Sequence, residues 1–214
     1  MPNAMIGIFG GTFDPIHIGH LRTAMELRDS LGLDHIKLLP CHLPAHRDRP
    51  GASSKQRITM LELAVEGLDT LVVDKREAER DSPSYSVDTL TSFRAELPDT
   101  QLLFCMGMDA FSGFTDWYRW QAILEIAHLV VVDRPGSSLS SASAELLASR
   151  KCASVTDLNQ PAGSILLQSV AQFDVSATRI RQLVSQKRDI SYLVPEAVGR
   201  YVNEQGLYLS LIHI

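Results

Sequence analysis

Cysteine is scarce: Cys41, Cys105 and Cys152 are the only three, an odd number at wide spacing with no C-x-x-C. That argues against a disulfide framework and a cysteine zinc site, and fits free thiols in a reducing cytoplasm. Long apolar runs are missing too. The longest, Ala127 to Val132, is interrupted by His128 and is far shorter than the ~20 residues a membrane helix needs. No basic segment precedes Met5, so no signal peptide is expected and no membrane partner is implied. Basic excess is also lacking. Lys and Arg number 20 against 25 Asp and Glu, a net charge of −5. A broad nucleic-acid face is therefore not expected, and any phosphate site must be built from a few placed groups. Nothing in the composition indicates oligomeric state, and a homo-oligomer remains open.

What is present is a soluble globular composition, 45% hydrophobic and 21% charged, which over 214 residues suffices for a sizeable core. One domain over 1–214 is expected, with 175–208 as a C-terminal helical part. Continuous apolar segments read as buried parallel strands: Met5–Phe9, His35–Leu39, Leu71–Val73, Gln101–Met106, Leu129–Val132 and Ile165–Val170. Between them lie helical patterns. One runs from Ile18 through Leu21, Ala24, Met25 and Leu31 to a stop at Gly32; another follows a capping box at Ser53 and Gln56 and carries Ile58, Leu61, Ala64, Val65 and Leu68. Helices are also expected after Pro83, over Trp117–Ala127, over Ala177–Gln186 and over Pro195–Gln205. Asp74–Asp81, dense in both charge signs, reads as a solvated loop, and serine-rich Gly136–Ala144 as a mobile one. Alternating strands and helices predict an α/β fold with a doubly wound, mostly parallel sheet. Ligands in such folds bind beyond the C-terminal ends of the strands.

The strongest feature sits at such an end: Gly10-Gly-Thr-Phe-Asp-Pro-Ile-His17-Ile-Gly-His20. Glycines allow backbone amides to approach a phosphate, and a helix start adds unpaired N–H groups and partial positive charge. His17 and His20, three apart, face the same way on a helical turn, with Gly19 leaving room for a ligand against the backbone. Two such imidazoles could bind a metal with Asp14, act as acid and base, or donate hydrogen bonds to phosphate oxygens. A second feature, Val175-Ser176-Ala-Thr178-Arg179-Ile-Arg181, is a hydroxyl-rich helix start with arginines in its first turn, suited to an anion. A third, Gly107-Met-Asp109 through Trp117-Tyr118-Arg-Trp120, gathers all the tryptophan beyond the fourth strand, as core or as a stacking platform.

Gly-Gly-Thr-Phe-Asp-Pro-x-His-x-Gly-His resembles the signature of the H-x-G-H nucleotidyltransferase superfamily, and the chain as a whole most resembles its nicotinate-nucleotide adenylyltransferases. The second feature resembles that family's Ile-Ser-Ser-Thr-x-Ile-Arg, with Val175 and Ala177 departing from it. The resemblance implies a Rossmann-like nucleotidyltransferase fold. It implies adenylyl transfer from ATP to nicotinate mononucleotide, giving nicotinate adenine dinucleotide and pyrophosphate in NAD biosynthesis, with Mg²⁺ carried by ATP. It implies His17, His20 and Arg181 as catalytic residues. It assigns Gly10, Gly11, Thr12, Phe13, Gly107, Asp109, Ser176 and Thr178 to ATP. It assigns His46, Arg47, Ser86, Trp117, Tyr118 and Arg134 to the acceptor. Trp117 would stack on the pyridine and the Tyr118 backbone N–H would meet the nicotinate carboxylate. His46 and Arg47 match a Pro-Pro-His-Lys/Arg element, and Ser86 replaces a threonine of the family's Ser-Tyr-Thr-x-Asp-Thr. Three rivals stand beside this: a transferase for another acceptor such as phosphopantetheine, a nucleotide-binding regulator without turnover, and a metal protein using His17, His20 and Asp14.

Overall fold

A computed structural model describes residues 4–42, 50–80, 83–133, 139–171 and 173–209. Seven strands alternate with eight helices among these residues. They are β1 (Met5–Gly11), α1 (Ile18–Leu31), β2 (Ile36–Pro40), α2 (Ser54–Val65), β3 (Leu71–Val73) and α3 (Ser86–Glu96). Then come β4 (Gln101–Gly107), α4 (Met108–Ser112), α5 (Trp120–Ile126), β5 (His128–Asp133), α6 (Ser141–Arg150) and β6 (Lys151–Cys152). β7 (Ile165–Ser169), α7 (Ala177–Ser185) and α8 (Glu196–Glu204) follow. The strands hydrogen-bond in the order β3-β2-β1-β4-β5-β7-β6. The pairings β1–β4, β4–β5, β5–β7 and β6–β7 are parallel, with Phe9 opposite Cys105 and Gly107 opposite Val132. Strand order reverses between β1 and β4, the switch point at which doubly wound folds bind ligands. None of the described helices is long and apolar enough to cross a membrane.

The central strands explain the unbroken apolar runs. Leu102, Leu103, Cys105, Leu129, Val130 and Val131 are all fully buried, since helices cover both faces of such a sheet. Contacts divide the chain into two compact units. The first comprises 1–10, 26–37 and 85–170, and the second 11–25, 38–84 and 171–214. In the first, β1, β4, β5, β7 and β6 pack with α3 and α5 through Phe93, Ile123 and Leu124. In the second, α2 packs with α8, burying Met60, Leu61, Val198 and Val202.

Several elements depart from the sequence expectation. The serine-rich loop is helical from Ser141, because Ser140 caps α6 by accepting from the Ser143 amide. The helix expected from Trp117 begins at Trp120; Arg119, at φ 52°, takes a left-handed conformation that a continuous helix does not admit. α2 ends at Val65, leaving Leu68 outside it and exposed. The charged stretch is not simply solvated: Asp74 and Glu77 are buried, and Arg76 donates to the Asp74 carboxylate at 2.8 and 2.9 Å. β1 runs on through Gly10 and Gly11, so these glycines belong to the strand end.

Candidate nucleotide site

The second unit carries the glycine–histidine motif. After β1 the chain turns through Phe13, at φ 50°, and Asp14 before α1 begins at Ile18. Glycine is needed at Gly11 because a Cβ there would meet the Phe13 ring at 2.8 Å. Phe13 is buried and packs edge-on against His20, ring centroids 5.1 Å apart. His17 and His20 stack at 3.6 Å between centroids and 24° between planes. The room over Gly19 is filled by His17 itself: a Cβ at Gly19 would lie 3.1 Å from the imidazole. Gly19 thus leaves space for the His17 ring.

Burial sets the protonation of the pair. His17 is 5% exposed and its pKa is pushed down to about 4 by desolvation. His20 is driven well below the ordinary imidazole value by desolvation and then by His17. Both are neutral at pH 7. The His20 backbone N–H donates to His17 Nδ1 at 3.4 Å, so the neutral His17 ring carries its proton on Nε2. His20 Nδ1 is buried with no hydrogen-bond partner among the described residues.

Around this pair the polar groups are tightly held. The buried Arg57 guanidinium donates to the carbonyls of Thr12 at 2.7 Å, His42 at 3.1 Å and Ala52 at 3.4 Å. It reads in the sequence as one more polar residue on α2, and no pattern signals its role. Arg181, on α7, donates to the Asp14 carbonyl at 2.7 Å and to the Thr178 hydroxyl at 3.3 Å. Ser176 is the N-cap of α7, accepting from the Arg179 amide at 3.2 Å. The start of α7 thus presents exposed Ser176 and Thr178 with a half-buried Arg181.

The Asp14 carboxylate, considered as a metal ligand, accepts instead from the amides of Gly51 at 2.7 Å and Ala52 at 3.1 Å and from the Tyr208 hydroxyl at 2.7 Å. No group of three or more histidine, cysteine or acidic residues that could hold a metal occurs among the described residues. This donor set does not fit a protein-held Mg²⁺, which wants several hard oxygens in octahedral array.

The first unit carries the aromatic feature. Gly107 ends β4 and caps α4, with Asp109 exposed in the first turn and nothing among the described residues within 4 Å of a Cβ at Gly107. Trp117 follows a short 3₁₀ turn and is half-buried, its ring 5.6 Å from Phe114 and 6.4 Å from Phe104. Trp120, half-buried, packs on Phe114 at 5.9 Å. Tyr118 is 51% exposed and lies 4.6 Å from Tyr85, centroid to centroid. Ser86 is the first residue of α3, beside Tyr85. A Cβ at Gly10 would touch the Phe104 ring at 3.4 Å. His46, Arg47 and Arg134 lie outside the described residues.

A parallel sheet with its switch point between β1 and β4, and a buried histidine pair at the first strand–helix junction, defines a class of nucleotide- and phosphate-handling proteins. The cytidylyltransferase-like family model matches residues 8–183, most of the chain. A probable nicotinate-nucleotide adenylyltransferase of Cellvibrio japonicus is 49% identical over 206 residues, covering 95% of this chain and 98% of that protein. One of Aeromonas hydrophila is 50% identical over 206 residues, covering 95% and 96%. The chain belongs to the cytidylyltransferase-like family, and within it to the nicotinate-nucleotide adenylyltransferases. A Plasmodium falciparum nicotinic acid mononucleotide adenylyltransferase, solved in complex with NaAD, shares the fold at TM-score 0.75 and 15% identity, covering 98% of this chain and all of that one.

Proposed function

We propose that the chain transfers the adenylyl group of ATP to nicotinate mononucleotide, forming nicotinate adenine dinucleotide and releasing pyrophosphate, in the cytoplasm. A phosphate oxygen of the mononucleotide attacks the α-phosphorus in line, its P–O bond to the β-phosphate breaks, and pyrophosphate departs. The attacking oxygen is already anionic, so no strong general base is required. The enzyme must hold two repelling anions together and stabilise charge building on the α-phosphoryl oxygens.

The stacked, buried, neutral His17–His20 pair carries this reading. Neutral imidazoles donate N–H bonds without repelling each other. An incoming polyphosphate raises their proton affinity, so positive charge develops where it is needed. Arg181 and the Ser176–Thr178 start of α7 bind the leaving β- and γ-phosphates, as a helix N-terminus with an arginine does. Thr12 and the neighbouring Gly10, Gly11 and Phe13 line the phosphate side, and Gly107 and Asp109 take the nucleoside. Trp117 stacks on the pyridine, Ser86 and the Tyr118 amide meet its carboxylate, and Tyr85 supports Tyr118. Mg²⁺ enters as part of the MgATP substrate, held by phosphate oxygens and water.

Pyrophosphate release from MgATP with nicotinate mononucleotide, nicotinamide mononucleotide and phosphopantetheine tests the reading. Release with nicotinate mononucleotide well above the other two supports it. Release with phosphopantetheine alone discards the acceptor and keeps the class. ATP binding with no release from any acceptor makes the chain a regulator.

A further inference from the structure

Tyr208 stands at the far end of the chain from the motif, 194 residues from Asp14, yet its hydroxyl donates to Asp14 Oδ1 at 2.7 Å in a buried environment. The residue is 5% exposed and Asp14 is also 5% exposed. Burial, followed by the charge of Asp14, raises the phenol pKa, so the hydroxyl remains a donor throughout the physiological range. Asp14 reaches three other residues from the same point. Its carboxylate takes the Gly51 and Ala52 amides at the approach to α2, and its carbonyl takes Arg181 at 2.7 Å. Arg181 Nη1 also lies 3.8 Å from the carboxylate. The Tyr208 ring packs over Gly51, where a Cβ would meet Cδ1 and Cε1 at 3.1 Å. Asp14 therefore joins the loop before the histidine pair, the segment before α2, the arginine of α7 and the end of the chain.

We infer that Tyr208 is a positioning residue for adenylyl transfer: through Asp14 it fixes the loop that carries His17 and His20 and the reach of Arg181. The inference rests on the roles given above to those three residues. The phenol itself touches no substrate. Its loss should slow the chemical step and leave acceptor binding intact. A hydrogen bond to a buried carboxylate is among the stronger kinds, and small misplacement of catalytic groups is costly in rate.

The test is steady-state pyrophosphate release from MgATP and nicotinate mononucleotide by Tyr208→Phe, Asp14→Asn and the double variant, at a temperature where circular dichroism shows each folded. The expected result is a kcat lowered about tenfold or more in Tyr208→Phe, with KM for the mononucleotide within about twofold. The double variant should be no slower than Asp14→Asn, because both changes break one contact. Gly51→Ala, whose Cβ would meet the Tyr208 ring at 3.1 Å and Arg181 Cδ at 3.6 Å, crowds the same junction and should reproduce the kcat loss, and it replaces Tyr208→Phe if that variant folds poorly. Unchanged kcat in folded Tyr208→Phe, or losses that multiply with Asp14→Asn, overturns the inference. His20→Ala is run alongside. A defective His20→Ala with a normal Tyr208→Phe sinks the positioning role alone. A normal His20→Ala sinks the reading of the motif, and the role of Tyr208 with it.

Discussion

The two units carry candidate sites of different chemistry. In the second, Arg57, Asp14 and Arg181 are buried or half-buried and held by hydrogen bonds, Arg57 under the Thr12 carbonyl, Asp14 under two amides and a phenol, Arg181 on Asp14 and Thr178, with exposed Ser176 and Thr178 at the start of α7. In the first, beside Ser86, the candidate acceptor residues Trp117 and Tyr118 are aromatic rings resting on other rings, Trp117 half-buried and Tyr118 51% exposed. Charge stabilisation needs dipoles that do not reorganise during reaction, which a buried network supplies. Selecting a flat heterocycle needs area and a rigid face, which an aromatic supplies without hydrogen bonds. The contrast teaches that rate and choice of acceptor should fail separately.

The largest effect belongs to the buried network. His20→Ala should lower kcat by roughly a hundred- to a thousandfold with the fold retained, because one oxyanion donor is lost. Single-turnover product formation, with circular dichroism for the fold, checks it. Near-normal turnover would break the contrast.

Next comes pH. His17 has a folded pKa of about 4, below the ordinary 6.5, so its neutral form is the one the fold favours. The associated stability is fully present above about 6.5, declines as pH falls, and is lost by about 4. The drop attributable to His17 is at most about 3 kcal/mol. Urea unfolding from pH 7.5 to 4 checks it: the midpoint should fall in that window for the native chain, and less for His17→Asn.

For the aromatic region, Trp117→Ala should raise KM for nicotinate mononucleotide about tenfold, with kcat changed by less than about threefold. Steady-state kinetics at varied acceptor and saturating ATP checks it. Smallest is Ser176→Ala, which removes the α7 cap and should cost about 1 kcal/mol of stability, read by thermal unfolding.

Much of this contrast was legible in the sequence, and for a physical reason. His17 and His20 lie three apart, and one helical turn suffices to bring them together. The strands were legible because both faces of β4 and β5 are covered, which writes an unbroken apolar run. What could not be read depends on long-range closure. Asp14 finds its partners 37, 38 and 194 residues away, and Arg57 reaches back 45 residues to Thr12; no periodicity encodes such pairs. α6 was missed because serine serves equally as a loop residue and as the cap that starts a helix.

This contrast predicts that the two regions act independently, one on rate and one on acceptor choice. The measurement that tests it most directly is kcat/KM for nicotinate mononucleotide in His20→Ala, Trp117→Ala and the double variant. Independence predicts that the two losses multiply, their free energies adding within about 0.5 kcal/mol. A double variant no worse than His20→Ala alone would contradict it, showing that the aromatic platform acts only through the chemistry of the histidine pair.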